Sequence, residues 1–209
     1  MNVEQLINHT KAHYLRDESV VPLWERPELL AYLNEAQSLF ARHTHCLVDE
    51  VVVETVVGED RYALDPGTVF VMEAYIEGRL LRPVSRTKLP RSIHQGKPRA
   101  YTLDAAMRTM RFGPTPDDVY DVDILYAHMP YDALVEDEDE PEIPEEYHLA
   151  LCDWVAHKAL RNNDTEASNT TASENFRASW GESLVQAKRE LYHVRTGLPA
   201  RALHNWTGK

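Results

Sequence analysis

The apolar residues of this 209-residue chain change period twice. Up to about residue 47 they recur every three or four positions. From about 48 to 130 they recur every second position, and beyond that the longer spacing returns. A period of 3.6 suits an amphipathic helix and a period of 2 a half-buried strand, so helical segments must flank a β insertion. The expectation is an α+β protein in three parts. Residues 1–47 and 131–193 form a helical bundle core, 48–130 form an inserted antiparallel β-sandwich or barrel, and 194–209 form an extended C-terminal tail.

Local marks refine this outline. Residues 3–16 predict a short helix with Val3, Leu6, Ile7 and Tyr14 near one face. In the second helix Pro27 suits the first turn and Glu28 complements the dipole there, while Leu29, Leu33, Ala36 and Phe40 share a face. It fades at His43-Thr-His45. In the insertion, Val69–Ile76 is expected to pair with Arg79–Val84 across the turn Glu77-Gly78. Tyr101–Leu103, Met107–Phe112 and Tyr120–Tyr126 continue the strands. In the last, Tyr120, Val122, Ile124 and Tyr126 take one face and Asp121 and Asp123 the other. Pro144 then opens a helix with Tyr147, Leu151, Trp154 and Val155 on one stripe. A long final helix passes Phe176, Trp180, Leu184, Ala187 and Leu191 to about Tyr192. Its start is obscured by the poor helix formers of Ser168–Ser173, and Gly197 and Pro199 close it.

Charge narrows the partners. The chain has 34 acidic and 22 basic side chains, a formal charge of −12, and eight of the acids lie between Glu136 and Glu146. Such a chain does not bind a phosphate backbone by counterion release, although it can repel one. The segment from Glu136 through Asp137, Glu138, Asp139 and Glu140 to Glu146 reads either as a solvated loop or as an acidic surface facing passing DNA. The last 22 residues reverse the sign, with Lys188, Arg189, Arg195, Arg201 and Lys209 against Glu190 alone. The tail reads as simple terminal disorder or as a docking peptide that orders on a partner. In the second reading Arg195, Leu198, Pro199, Arg201, Leu203 and Trp206 are its anchors.

Other classes find less support. Two cysteines, Cys46 and Cys152, give no disulfide framework and point to a reducing compartment. The longest apolar run, Val20–Trp24, is far short of a bilayer span, and no secretion signal is expected from Met-Asn-Val-Glu-Gln. GxxxxGK[ST], GxGxxG, GxSxG and HExxH are all absent. A metal set could join His43, His45 and Cys46 to His148 and Cys152, which are i, i+4 on one helix. The same residues also suit a helix C-terminus and small buried thiols, and their spacing matches no recognised zinc pattern. Asp117, Asp118, Asp121 and Asp123 could hold a hard cation or act as an acid–base pair, and a water-facing strand edge would carry the same acids.

Several phrases in fixed order resemble the head-to-tail adaptor (connector) proteins of tailed bacteriophages. They are Leu15-Arg-Asp17, Trp24 with the helix Glu28–Gln37, Tyr62-Ala-Leu-Asp-Pro66 and Gly96-Lys-Pro-Arg-Ala-Tyr101. Met110-Arg-Phe-Gly-Pro-Thr-Pro116, Tyr126-Ala-His-Met-Pro130, Ile143-Pro-Glu-Glu-Tyr147 and the spacing Asp164–Asn169–Phe176 follow. The resemblance implies a structural virion protein of the neck, assembled in the host cytoplasm, with no enzymatic activity and no cofactor. It implies a ring of copies, dodecameric like the portal, between the portal protein and a tail or nozzle protein. That ring would serve as a conduit for double-stranded DNA that it does not bind tightly and as a platform for tail attachment. The helical part would pack against neighbouring copies, the insertion would face outward or tailward, and the tail would climb onto the portal. Twelve copies would carry about −144 formal charges, which suits a bore that DNA slides through. Three rivals remain. One is a small metal-dependent hydrolase built on the His, Cys and Asp clusters. The others are a tail-tube or stopper component and a host-directed binding protein that stays monomeric.

Overall fold

A capping box starts the first helix. Asn2 accepts from the Gln5 N–H and the Gln5 side chain accepts from the Asn2 N–H, so α1 spans Val3–His9 with Val3, Leu6 and Ile7 buried. The next turn, Thr10–Leu15, widens into a π-helix and stops at Arg16, whose φ is 52°. These details belong to a computed structural model that describes residues 1–17, 22–89, 95–104, 108–162 and 167–196. Helix α2 runs Arg26–Thr44, with Pro27 in its first turn and Leu29, Leu33, Ala36 and Phe40 fully buried, as the apolar spacing requires.

After a short 3-10 turn at Glu145–Tyr147, α3 covers His148–Asn162 and α4 covers Ala167–Thr196. α4 therefore includes the polar stretch Asn169–Ser173 and extends four residues past the expected end at Tyr192. The poor formers are tolerated because Ser173 is buried against α3. Its hydroxyl lies 2.9 Å from His157 Nδ1 and donates to the His157 carbonyl at 3.0 Å. α3 packs on both α2 and α4. One apolar cluster ties these helices together through Phe40, Tyr147, Leu151, Val155 and Trp180, and the Phe40 ring lies 5.2 Å from Tyr147 and 5.6 Å from Trp180. Trp24 joins this cluster and donates from Nε1 to the Ala159 carbonyl at 3.1 Å.

The chain divides into two compact units, Met1–Leu47 with the chain from Pro130 onward, and Val48–Met129. In the second unit, strands β1 (Val48–Glu54), β8 (Asp121–His128), β3 (Thr68–Ile76) and β4 (Arg79–Leu80) form one sheet in the order β1-β8-β3-β4. Strands β2 (Arg61–Ala63), β7 (Thr109–Gly113), β6 (Ala100–Asp104) and β5 (Arg82–Pro83) form another in the order β2-β7-β6-β5. Both helices and sheets are thus present, and neither sheet closes into a barrel. Val71, Ile76, Val122, Ile124, Met110 and Phe112 are all buried in one cluster that draws on both sheets. β8 keeps the expected alternation: Val122, Ile124 and Tyr126 are buried, Asp121 exposed and Asp123 half-buried. Its pairing with β1 sets Val48 opposite Ala127, so the first and last strands of this unit lie side by side.

Two expectations need correction. The hairpin Val69–Val84 forms across Glu77 and Gly78, both at positive φ, but its second strand is only Arg79–Leu80. Leu81 is buried, and beyond it the chain switches sheets: Arg82–Pro83 pairs in parallel with Ala100–Tyr101. The insertion is therefore mixed rather than purely antiparallel. Pro83 cannot donate to a ladder and so suits the outer strand β5.

Candidate functional site

The acidic segment is anchored rather than loose. The carbonyls of Asp139 and Asp137 accept from Val3 N–H at 2.9 Å and Glu4 N–H at 3.1 Å, which satisfies donors that the first turn of α1 would leave unpaired. The Asp139 carboxylate accepts from Val135 N–H at 2.8 Å and Glu136 N–H at 2.9 Å, and these two bonds hold its pKa below the usual value. Asp137 pairs with Arg26. Asn34 of α2 clasps the backbone of Leu134, donating at 2.9 Å and accepting at 2.8 Å. Glu142 accepts from Tyr131 N–H at 2.7 Å and Asp132 N–H at 3.1 Å, while Leu134 and Ile143 are buried. Of the five candidate acids, Asp137 and Asp139 are half-buried structural groups, and Glu136, Glu138 and Glu140 are exposed. The strap leaves these three carboxylates facing water.

Arg195 belongs to the last turn of α4, whereas Leu198, Pro199, Arg201, Leu203 and Trp206 lie outside the described residues.

The histidine–cysteine constellation serves packing. His148 and Cys152 do share a face of α3, but that face is buried. His148 Nε2 donates to the Ile143 carbonyl at 2.7 Å, and Nδ1 lies 3.0 Å from the Met1 amino group. Cys152 Sγ sits 3.8 Å from the Leu6 carbonyl, and burial pushes its thiol up to about 11. His43 is exposed in the last turn of α2, and His45 closes that helix in the left-handed conformation. Among the described residues no group of three or more His, Cys, Asp or Glu is placed to hold a metal ion. Asp117 accepts from the Tyr120 hydroxyl at 2.8 Å, which with partial burial pushes that phenol up to about 12. Asp118 accepts from Val119 N–H at 2.9 Å.

Both units also have concave regions. In the helical unit a groove of about 600 Å3 runs between α3 and α4, with Tyr14, Leu149 and Phe176 beside Glu146, Asp153 and Glu190. Asp153 is buried, which pushes its pKa up, while a hydrogen bond from Ser179 at 2.8 Å opposes the shift. In the β unit a cavity of about 250 Å3 is lined by Arg61, Arg86 and Arg111 with threonine hydroxyls. Asp104 pairs with Arg86 at 3.0 Å, and Asp60 pairs with Arg111 and lies 4.0 Å from Arg61, so acids already offset all three cations.

Outside the expected sites, charge is segregated along the part of the sequence that forms the β unit. Residues 48–60 contain five acids and no base, and residues 79–111 contain nine bases and one acid. A running charge count along the chain would have found this polarity; the whole-chain total of −12 conceals it.

The family model described as SU10 adaptor protein matches residues 1–201 of the chain. Among curated proteins none matches.

Proposed function

The chain belongs to the SU10 adaptor protein family, and from that structural phage-adaptor role we propose that it forms a ring, twelvefold by our reading, between portal and tail. In this proposal the ring is a DNA conduit and a platform for tail attachment. The family match carries the reading, since it runs through both units rather than through one module. The four helices would act as a bundle that packs against neighbouring copies, and the two sheets as a sandwich turned outward or tailward. Arg195, Leu198, Pro199, Arg201, Leu203 and Trp206 would dock on the portal. Glu136, Glu138 and Glu140 would help keep DNA from adhering to the bore. The anchored strap supports that role, because carboxylates on a fixed backbone repel DNA from defined positions. Of the residues proposed for the rival hydrolase, His148 and Cys152 are buried and hydrogen-bonded within the helical unit, Asp118 bonds the backbone beside it, and His43 and Asp121 are exposed, so that alternative is not favoured.

The test is electron microscopy of the purified protein mixed with its phage's portal protein. A twelvefold ring capping the portal is the expected result, and a folded chain that never joins the portal would overturn the reading. Truncation after Val194 should leave circular dichroism unchanged and abolish portal binding. Unchanged binding would remove the docking role from the tail.

A further inference from the structure

The outer strands of the β unit are built as unlike halves of one contact. At one side of the first sheet lies β1, a seven-residue edge strand paired only with β8. Val51 and Val52 are exposed on it, Val56 and Val57 just beyond it, and Asp49, Glu50, Glu54 and Glu59 are exposed around them. At the opposite side lie β4 and β5, the outer strands of the two sheets, joined through the single buried residue Leu81. This side exposes Arg79, Leu80, Arg82, Lys88 and Arg99. Among the described residues no acid lies in ion-pair range of Arg79, Arg82, Lys88 or Arg99, whereas the nearby Arg86 and Lys97 pair with Asp104 and Glu77.

An exposed valine-rich edge strand is a liability that proteins normally blunt with lysine or proline or cover with another chain. Here the blunting charges are all acidic, and the cations that would neutralise them sit at the far side of the β unit, Arg79 on the same sheet and Arg82 on the other. One copy cannot join its own two sides across three strand spacings of about 4.8 Å each. A second copy can. Two different surfaces meeting head to tail make a heterologous contact, the type that closes into rings.

We propose that the β1 edge of one copy docks against the β4–β5 edge of the next copy. The valines would cover Leu80, and Glu50, Glu54 and Glu59 would face Arg79, Arg82 and Arg99. This rests on the ring reading and adds, beside the helix packing, a second surface through which neighbours meet. Association through it weakens as salt rises, because the charges lie at a solvent-accessible rim.

Sedimentation velocity of two charge-reversed full-length chains tests it. One carries Arg79→Glu, Arg82→Glu and Arg99→Glu, and the other Glu50→Lys, Glu54→Lys and Glu59→Lys. Each alone should lose self-association by about tenfold or more relative to the unaltered chain. An equimolar mixture should regain it, because each altered edge then meets its complement. Recovery also shows that both variants are folded; if either fails to fold, glutamine at the same positions should still weaken association. Self-association of either variant equal to that of the unaltered chain would overturn the proposal; where the unaltered chain assembles only on the portal, the comparison is made there, and either variant alone forming rings as the unaltered chain does would overturn it. If the arginine variant instead loses binding to a 30-base-pair duplex while self-association is intact, that edge is a nucleic-acid surface and the proposal falls. The ring reading is judged separately by portal capping. A variant that still caps the portal as a ring would discard the edge contact alone, and an unaltered chain that never does so would discard the ring.

Discussion

Asp139 and Glu138 are neighbours in unlike settings, one hydrogen-bonded to backbone and the other exposed. Asp139 is held by two backbone N–H donors that stabilise its charged form, so its folded pKa lies below the unfolded value. The stability it contributes is complete above the ordinary carboxylate value near 3.8 and is lost as pH falls through the lowered one. Asp139→Asn should therefore destabilise the chain at pH 7, with the gap to the parent closing on acidification in urea titrations. A pH-independent gap would mean the charge is not what matters. Glu136→Gln, Glu138→Gln and Glu140→Gln together should change stability by less than about 0.5 kcal/mol, since these side chains are exposed. Asp153 has the opposite sign. Burial raises its pKa, so its ionised form costs stability at neutral pH, and that cost fades as pH falls through the raised folded value and is gone below the ordinary one near 3.8. Asp153→Asn can keep the Ser179 bond and should be at least as stable as the parent at pH 7, with the difference shrinking toward pH 3. A loss above about 1 kcal/mol at pH 7 would show that the carboxylate is needed.

Among the elements, α2 is the clearest case of a helix readable from its apolar spacing. Every residue assigned to its inner face is buried, and Phe40 touches rings from both Tyr147 and Trp180. Phe40→Ala should cost about 3–5 kcal/mol in a denaturant titration; less than about 1 kcal/mol would place the core elsewhere. Strands β3, β6 and β8 were legible for the same reason, because alternation is a local signal. The split after Leu80 was not, since it depends on parallel pairing with Ala100–Tyr101 far along the chain. The π-helical turn at Thr10–Leu15 and the helical state of Asn169–Ser173 depend on packing and on His157, which local propensity does not register. The acidic strap shows the same limit. Its composition suggests solvation, yet its backbone supplies acceptors to α1 and a clasp for Asn34 of α2. The candidate acids were readable as a group, but their division into anchoring and exposed members was not.

For the whole molecule, the order of the units along the chain matters as much as their content. The helical unit is interrupted at Leu47 and resumes at Pro130, and the β unit carries its own buried cluster. Val48 and Ala127 are ladder partners about 5 Å apart, so the first residue of the β unit lies beside a residue two short of its last. A gap that small needs only a tight loop to bridge it. Replacing residues 48–129 with a short glycine-serine linker should leave a helical protein whose far-ultraviolet spectrum has lost its β contribution and which still melts cooperatively. A molten product would show that the helices depend on the insertion. With a cooperative melt, the side-by-side arrangement of β1 and β8 would make the insertion an exchangeable cassette. A phage lineage could lengthen, shrink or swap this module to suit a new tail while the helices that receive it keep their connections.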